Sequence, residues 1–161
     1  MKTTYQLILF ILLATVTVQA DAEAFKKVYL DQKNNVHLIT REGKRQQVTT
    51  KGNAALLKLA PDNETVAWLV LNAWKADGDD IPGSEELAIY RKGKQISIKC
   101  TPFIRDYWFW AGGKQIAIDC GGRRFAGREI LYDATTLKEL ASFDQANVPL
   151  DKRPDWSSDH D

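Results

Sequence analysis

Very little in this chain could do chemistry by itself. Histidine occurs twice, as His37 and His160, and cysteine twice, as Cys100 and Cys120. A serine or cysteine nucleophile needs a base within hydrogen-bond reach. His160 belongs to the acidic stretch Asp159-His160-Asp161, and His37 stands alone in the alternating run Val36 to Thr40. No catalytic residue is therefore expected, and the chain does not read as an enzyme. Two cysteines and two separated histidines fall short of a metal-ligand set. Asp77-Gly78-Asp79-Asp80 lacks the spaced oxygen ligands and the distal glutamate of a calcium loop, and reads as a solvated acidic loop. No phosphate-binding glycine loop opens a helix, so no cofactor is expected.

Binding chemistry is better represented. Tyr107-Trp108-Phe109-Trp110 places four aromatics in a row. On a strand Tyr107 and Phe109 point one way, Trp108 and Trp110 the other. The first pair reads as core. The second is either buried between sheets or an exposed tryptophan ridge, the residue type that dominates binding hot spots. Arg123-Arg124-Phe125 sits in the glycine-bounded stretch Gly121 to Gly127, where two guanidiniums beside an aromatic suit acidic or planar partners. Trp74, beside Asp77, Asp79 and Asp80, is a further candidate contact. Cys100 and Cys120 form an even pair, most simply a disulfide in an oxidising compartment, with two separate buried thiols as the alternative.

Residues 1–20 read as a signal peptide: Lys2, then a compact apolar run from Leu7 to Val18, then small residues around Val18-Gln19-Ala20. The apolar run, about twelve residues, is shorter than the roughly twenty that span a bilayer. The mature chain is expected to be periplasmic or secreted, with no membrane insertion after cleavage. Without Lys2, twenty-one basic side chains face twenty-one acidic ones. That balance argues against nucleic acid or a polybasic membrane contact, both of which need a positive excess. One domain, residues 21–144, is expected, followed by a flexible acidic tail, 145–161, marked by Pro149 and Pro154.

The elements that must position these residues come from a repeat. Leu56 to Val70 returns as Asp106 to Cys120, with Leu57 and Leu59 over Tyr107 and Phe109, and Asp62-Asn63 over Gly112-Gly113. Each copy is an alternating strand, a tight turn and a second alternating strand. A hairpin repeated at this spacing predicts blade-like sheets side by side. Roughly eleven strands are expected, about three before the first copy and four in each unit. Leu71 to Glu86, with its Asp-Gly and Pro82-Gly83, is expected to be irregular. The fold class is all-β, with antiparallel four-stranded blade-like sheets in a partial or open propeller-like stack.

Leu59-Ala60-Pro61-Asp62-Asn63-Glu64-Thr65-Val66-Ala67-Trp68 resembles the hairpin of WD40-like and TolB-type β-propeller repeats. Glu86 to Lys94 and Glu129 to Lys138 are similar to the hairpin that follows it in those blades. Ala60 and Asn63 stand where that motif has serine and glycine, and there is no Trp-Asp dipeptide. Closed propellers use four to eight blades, and two with a partial third are expected here. The signal peptide, blade count and cysteine closing the second hairpin also resemble periplasmic immunity proteins that block peptidoglycan amidases of type VI secretion. That resemblance implies a protein partner, a secreted peptidoglycan hydrolase, with Gly121 to Gly127 occluding its active site. The rival expectation is an envelope scaffold or accessory module.

Overall fold

The computed structural model describes residues 24–76, 79–122 and 125–158, with the side chains of residues 73–82 outside that description. The expected signal peptide also lies outside it. Among the described residues, eleven strands form three antiparallel sheets. The first holds β1 (Phe25–Leu30), β2 (Val36–Thr40) and β3 (Arg45–Gln47). The second holds β4 (Ala54–Leu59), β5 (Thr65–Ala76), β6 (Asp79–Arg91) and β7 (Lys94–Lys99). The third holds β8 (Ile104–Trp110), β9 (Gln115–Cys120), β10 (Arg128–Asp133) and β11 (Glu139–Asp144). Each four-stranded sheet is a simple meander, and the two sheets are the two copies of the repeat.

The middle sheet is buried on both faces. Alternation sends Val66, Trp68, Ala88 and Tyr90 toward the first sheet, where they meet Phe25, Val36 and Leu38. Their neighbours Ala67, Leu69, Leu87 and Ile89 face the third sheet and meet Ile104, Tyr107, Ile116 and Ile118. A sheet sealed on both sides needs consecutive apolar residues, which is why Val66-Ala67-Trp68-Leu69 reads as an unbroken run. Each buried valine, leucine or isoleucine among them stabilises the stack by about 1.5–3 kcal/mol relative to exposure. The two repeat turns also touch. Gly113, at φ 94°, packs so closely on the first turn that a Cβ there would lie 3.1 Å from Asp62 Cγ.

Tyr107 joins the two four-stranded sheets. Its ring is fully buried, and its hydroxyl donates to the carbonyls of Ala67 (2.6 Å) and Leu56. Leu56 belongs to a bulge in β4 and has a left-handed backbone, φ 49°. Bulges re-aim groups that a regular ladder would occupy, and here the carbonyl of Leu56 is turned toward Tyr107. Lys58 adds an ammonium 4.5 Å above the Tyr107 ring and 3.0 Å from Asp106 Oδ1.

The first sheet runs in the opposite sense to a full blade start. Phe25 N–H donates to Asn63 O (2.6 Å) and Ala54 N–H to Asn34 O (3.2 Å), so β1 lies antiparallel to β4. It therefore corresponds to the last three strands of a meander, and among the described residues it lacks the strand equivalent to β4 and β8. This makes the two ends of the stack chemically different. One end carries tight turns: 41–44, 60–64, 92–93, 111–114 and 134–138. The other carries the segments 31–35, 48–53, 100–103 and 121–127, and the exit from β11.

Two expectations are corrected here. Leu71 to Glu86 is regular for most of its length. Asn72 pairs with Gly83, Trp74 with Ile81 and Ala76 with Asp79, so β5 and β6 project as a two-stranded arm past the last β4 partner, Val70. Six residues of β5 beyond that point span about 20 Å. The arm is two-stranded there, and Pro82 is tolerated because an edge strand does not need its missing donor. The segment after β11 is not loose either. Over residues 145–158 it folds back on the outer face of the third sheet, with Trp108 Nε1–H donating to Trp156 O (2.8 Å) and the Trp156 ring 5.5 Å from Phe143. Its prolines and charges gave no hint of partners more than twenty residues away.

Candidate functional site

The long-segment end of the third sheet holds the most elaborate side-chain arrangement, and its origin is visible by comparing the two repeat copies. The face of the middle sheet that joins the third is made by Ala67, Leu69, Leu87 and Ile89. The equivalent residues of the third sheet are Ala117, Asp119, Glu129 and Leu131, on its outer face. Two leucines have become carboxylates, and both are buried, Asp119 at 1% and Glu129 at 0% exposure. They sit opposite one another on β9 and β10. Buried carboxylates require hydrogen-bonded partners, and these two organise everything around them.

Arg105 answers Asp119. It is the extra residue of a bulge at the start of β8, between Ile104 and Asp106, and so stands outside the ladder. Its Nη2 donates to Asp119 Oδ1 and to Gln145 Oε1, both at 2.6 Å. Its Nη1 donates to the carbonyls of Gly122 (3.3 Å) and Phe125 (3.2 Å). Glu129 is answered by the returning segment: Ser158 N–H (2.9 Å) and Oγ (2.6 Å), and Gln145 Nε2 (2.9 Å), all donate to it. Gln145 closes the circuit by accepting from Gly127 N–H at 2.9 Å. The base of the 121–127 loop and the segment 145–158 are thus tied to one polar core. Gly127 has to be glycine, since a Cβ there would lie 2.5 Å from Cys120 O and 2.7 Å from Arg105 Nη2.

Among the described residues, two clefts beside the third sheet are both lined by Arg105. One, of about 520 Å³, lies between the loop and the returning segment, with Asp119, Ala126, Gln145, Leu150 and Arg153 in its walls. The other, of about 420 Å³, is more apolar and lies between the middle and third sheets, lined by Leu56, Leu69, Leu71, Phe103 and Ile104. Large apolar side chains stand open around them: Phe125 at 61%, Leu150 at 64% and Leu56 at 49% exposure. The disulfide Cys100–Cys120, with Cα atoms 5.9 Å apart, ties the same end together. The pairing expected from two cysteines is present, and it points to an oxidising, extracytoplasmic environment.

The candidates read from the sequence divide accordingly. Phe125 is at this end and exposed. Arg123 and Arg124 lie outside the described residues, as does the side chain of Trp74, although the arm that carries Trp74 leaves from the same end. Trp108 is half-buried beneath Trp156 and does not form an exposed ridge. Trp110, 40% exposed, closes β8 at the tight-turn end, a strand's length away. Trp108 and Trp110 therefore do not share a patch with Phe125. Arg105, Asp119, Glu129 and Gln145 were missed, and the signal for two of them was in the repeat: aligned copies put Leu69 over Asp119 and, with the shorter loop allowed for, Leu87 over Glu129.

No family model matches the chain, and no curated protein does. Among solved structures, the chain is similar in shape to the β-propeller domain of the trilobed protease from Pyrococcus furiosus, described as having an open velcro topology. It shares 16% identity and a TM-score of 0.47, over 81% of this chain and 39% of that one. The chain thus spans about two fifths of that length. The blade-like reading rests on the strand order and face-to-face packing of the chain's own sheets.

Titration adds little to this end and more elsewhere. Burial pushes the Tyr107 phenol far above its ordinary range, reinforced by the nearby Asp106 carboxylate. The Asp31 carboxyl is held well below the usual range by the Asn35 N–H and by His37, whose Nε2 lies 3.0 Å away. His37 also stacks on Tyr29 at 5.1 Å. Both of its visible contacts are accounted for within the first sheet.

Proposed function

We propose that this chain is an exported, non-enzymatic binding protein that inhibits a secreted cell-wall-degrading enzyme by covering its active site. The observation that carries the reading is the concentration of open apolar side chains, Phe125, Leu150 and Leu56, around two clefts at one end of a disulfide-tied stack. Exposed apolar groups beside concave surface are what interfaces bury. The loop base is held at Gly122 and Phe125 by Arg105 and at Gly127 by Gln145, so that base has little ordering entropy left to lose when a partner arrives. Arg123 and Arg124 add positive charge for an acidic surface.

An envelope scaffold or accessory module is the second reading. The exposed Trp110 favours it, because a scaffold uses more than one surface and Trp110 is at the far end.

Affinity capture with tagged residues 21–161, against envelope and secreted fractions, tests the two. A stoichiometric peptidoglycan hydrolase that loses activity when bound, and is lost on changing Phe125→Ala or Arg123→Ala with Arg124→Ala, supports inhibition. Capture of envelope-assembly proteins alone, sensitive to Trp110→Ala and not to the loop variants, overturns it in favour of the scaffold.

A further inference from the structure

We propose that the outer face of the first sheet is a cationic docking surface for a bilayer rich in anionic lipid headgroups. The even charge count of the whole chain conceals an uneven distribution. Residues 21–53 carry seven basic and four acidic side chains, whereas residues 54–161 carry fourteen and seventeen. All seven of those basic side chains are exposed. Register puts Lys27, Ile39 and Arg45 in one row across the sheet and Tyr29, His37 and Gln47 in the next. Both rows lie on the outer face, since Val28 and Leu38 between them belong to the core on the other side. Arg41 and Lys44 extend the charge into the turn at one end. Lys33 and Lys51 extend it at the other, where a Cβ on Gly52 would lie 2.4 Å from Lys33 O.

In the other two sheets basic side chains are met by acids: Lys58 by Asp106, Arg105 by Asp119, Arg128 by Glu139. Among the described residues no carboxylate pairs with Lys26, Lys27, Lys33, Arg45 or Lys51. Of the acids near them, Asp31 accepts from the N–H groups of Lys33 and Asn35 and meets His37, and Glu42 lies in the turn beside Arg41. Five of the seven cations are lysines. Lysine is a point charge on a flexible stem and suits a diffuse, mobile anionic layer, whereas a fixed carboxylate favours the fork of arginine. Protein interfaces are correspondingly poor in lysine. Tyr29 fits the same surface, because tyrosine is enriched where bilayer meets water, and its ring already carries Lys27 Nζ at 5.7 Å. The contact is peripheral, and the acidic excess beyond residue 53 favours this one orientation. The third sheet, on the far side of the middle one, stays free, so the inference does not depend on what binds there.

Cosedimentation of residues 21–161 with lipid vesicles tests the surface. Vesicles of equal parts phosphatidylglycerol and phosphatidylcholine should bind the protein, and vesicles of phosphatidylcholine alone should not. Binding should be lost between about 50 and 500 mM salt, as the screening length shortens. Near an anionic surface each cation strengthens partition about fivefold, so Lys27→Gln with Arg45→Gln should weaken it about twentyfold. Both side chains are exposed, and an unchanged urea midpoint would show that the fold is kept. If that pair disturbs the sheet, Lys33→Gln with Lys51→Gln carries the test. Lys114→Gln with Lys138→Gln removes the same charge from exposed positions around the third sheet and should change binding little. Equal loss from both kinds of pair, equal binding to phosphatidylcholine, or no binding to phosphatidylglycerol overturns the surface. Poly-glutamate bound more tightly than the vesicles would overturn the lipid assignment in favour of an acidic protein.

Discussion

Changing Tyr107→Phe removes one oxygen from the seam between the two four-stranded sheets, and the consequences can be worked through. The hydroxyl donates to Ala67 O and Leu56 O, and no solvent reaches the buried ring to replace it. Leaving buried carbonyls without their donor costs about 1–3 kcal/mol, and the ring still fills its space. With a urea m-value of about 1–3 kcal/mol per molar, the midpoint should fall by roughly 1 M. The pH dependence separates this mechanism from general loss of packing. The folded-state pKa of Tyr107 lies above its unfolded value, about 10. Its stabilising contribution is thus complete below pH of about 10 and is lost as pH rises toward the folded value. Tyr107→Phe should be less stable than the parent at pH 7, with a gap that narrows on going above about pH 10. Urea titrations at pH 7, 9 and 10.5, read by tryptophan fluorescence, would show it. A variant as stable as the parent at pH 7, or a gap unchanged at the alkaline end, would refute the argument that the hydroxyl is a buried, protonated donor.

Other expectations follow from the same contacts. Reducing Cys100–Cys120 should destabilise the fold by about 3 kcal/mol, the loop-entropy value for roughly twenty residues, seen as a lower urea midpoint in dithiothreitol than in air. Gly127→Ala should cost about 1–3 kcal/mol, as overpacking does, and should speed tryptic cleavage at Arg123 or Arg124 more than elsewhere, because it pushes on Arg105 and Cys120 O together; uniform acceleration across the chain would deny a local effect. Asp31→Asn should selectively weaken the acid side of the stability profile: a carboxylate with a depressed folded pKa contributes above its unfolded value, about 3.9, and loses that contribution as pH falls below it. Thermal melts at pH 7 and pH 3 should therefore differ less in the variant than in the parent.

How much of this was legible depended on whether the determining contact was local. Strands, turns and the two meanders came from alternation and from punctuation such as Glu42-Gly43 and Lys92-Gly93, all within a few residues. The pairing of Cys100 with Cys120 was legible because only one pair exists. The β5–β6 arm was misread because Pro82, Gly83 and the aspartates Asp77, Asp79 and Asp80 outweighed one opposing sign, Asp77-Gly78, a strong two-residue hairpin signal. The returning segment was misread because what holds it is distant in sequence: Ser158 on Glu129 and Trp156 on Trp108. Arg105 could not have been found at all without the register, since its role follows from being the extra residue in β8.

The exchange of Leu69 and Leu87 for Asp119 and Glu129 also explains why sheet stacking gives way to a polar cover on the third sheet. An apolar sheet laid on that face would leave the buried Glu129 carboxylate without donors, at several kcal/mol. A segment rich in backbone and side-chain donors can cover it instead, and Ser158 and Gln145 supply them. Apolar side chains remain on the same face, along the row Trp108, Ala117, Leu131 and Ala141 and at Phe143, which meets the Trp156 ring. The opposite end of the stack solves the same problem with fewer resources. There Tyr29, His37 and Gln47 give the first sheet an outer surface that water can meet directly. Repeat arrays need polar outer faces on their terminal units, and here one is exposed and one is covered. The covered one is also where the loop, the two clefts and Arg105 converge, so the residues that stop the stacking are the residues that build the site.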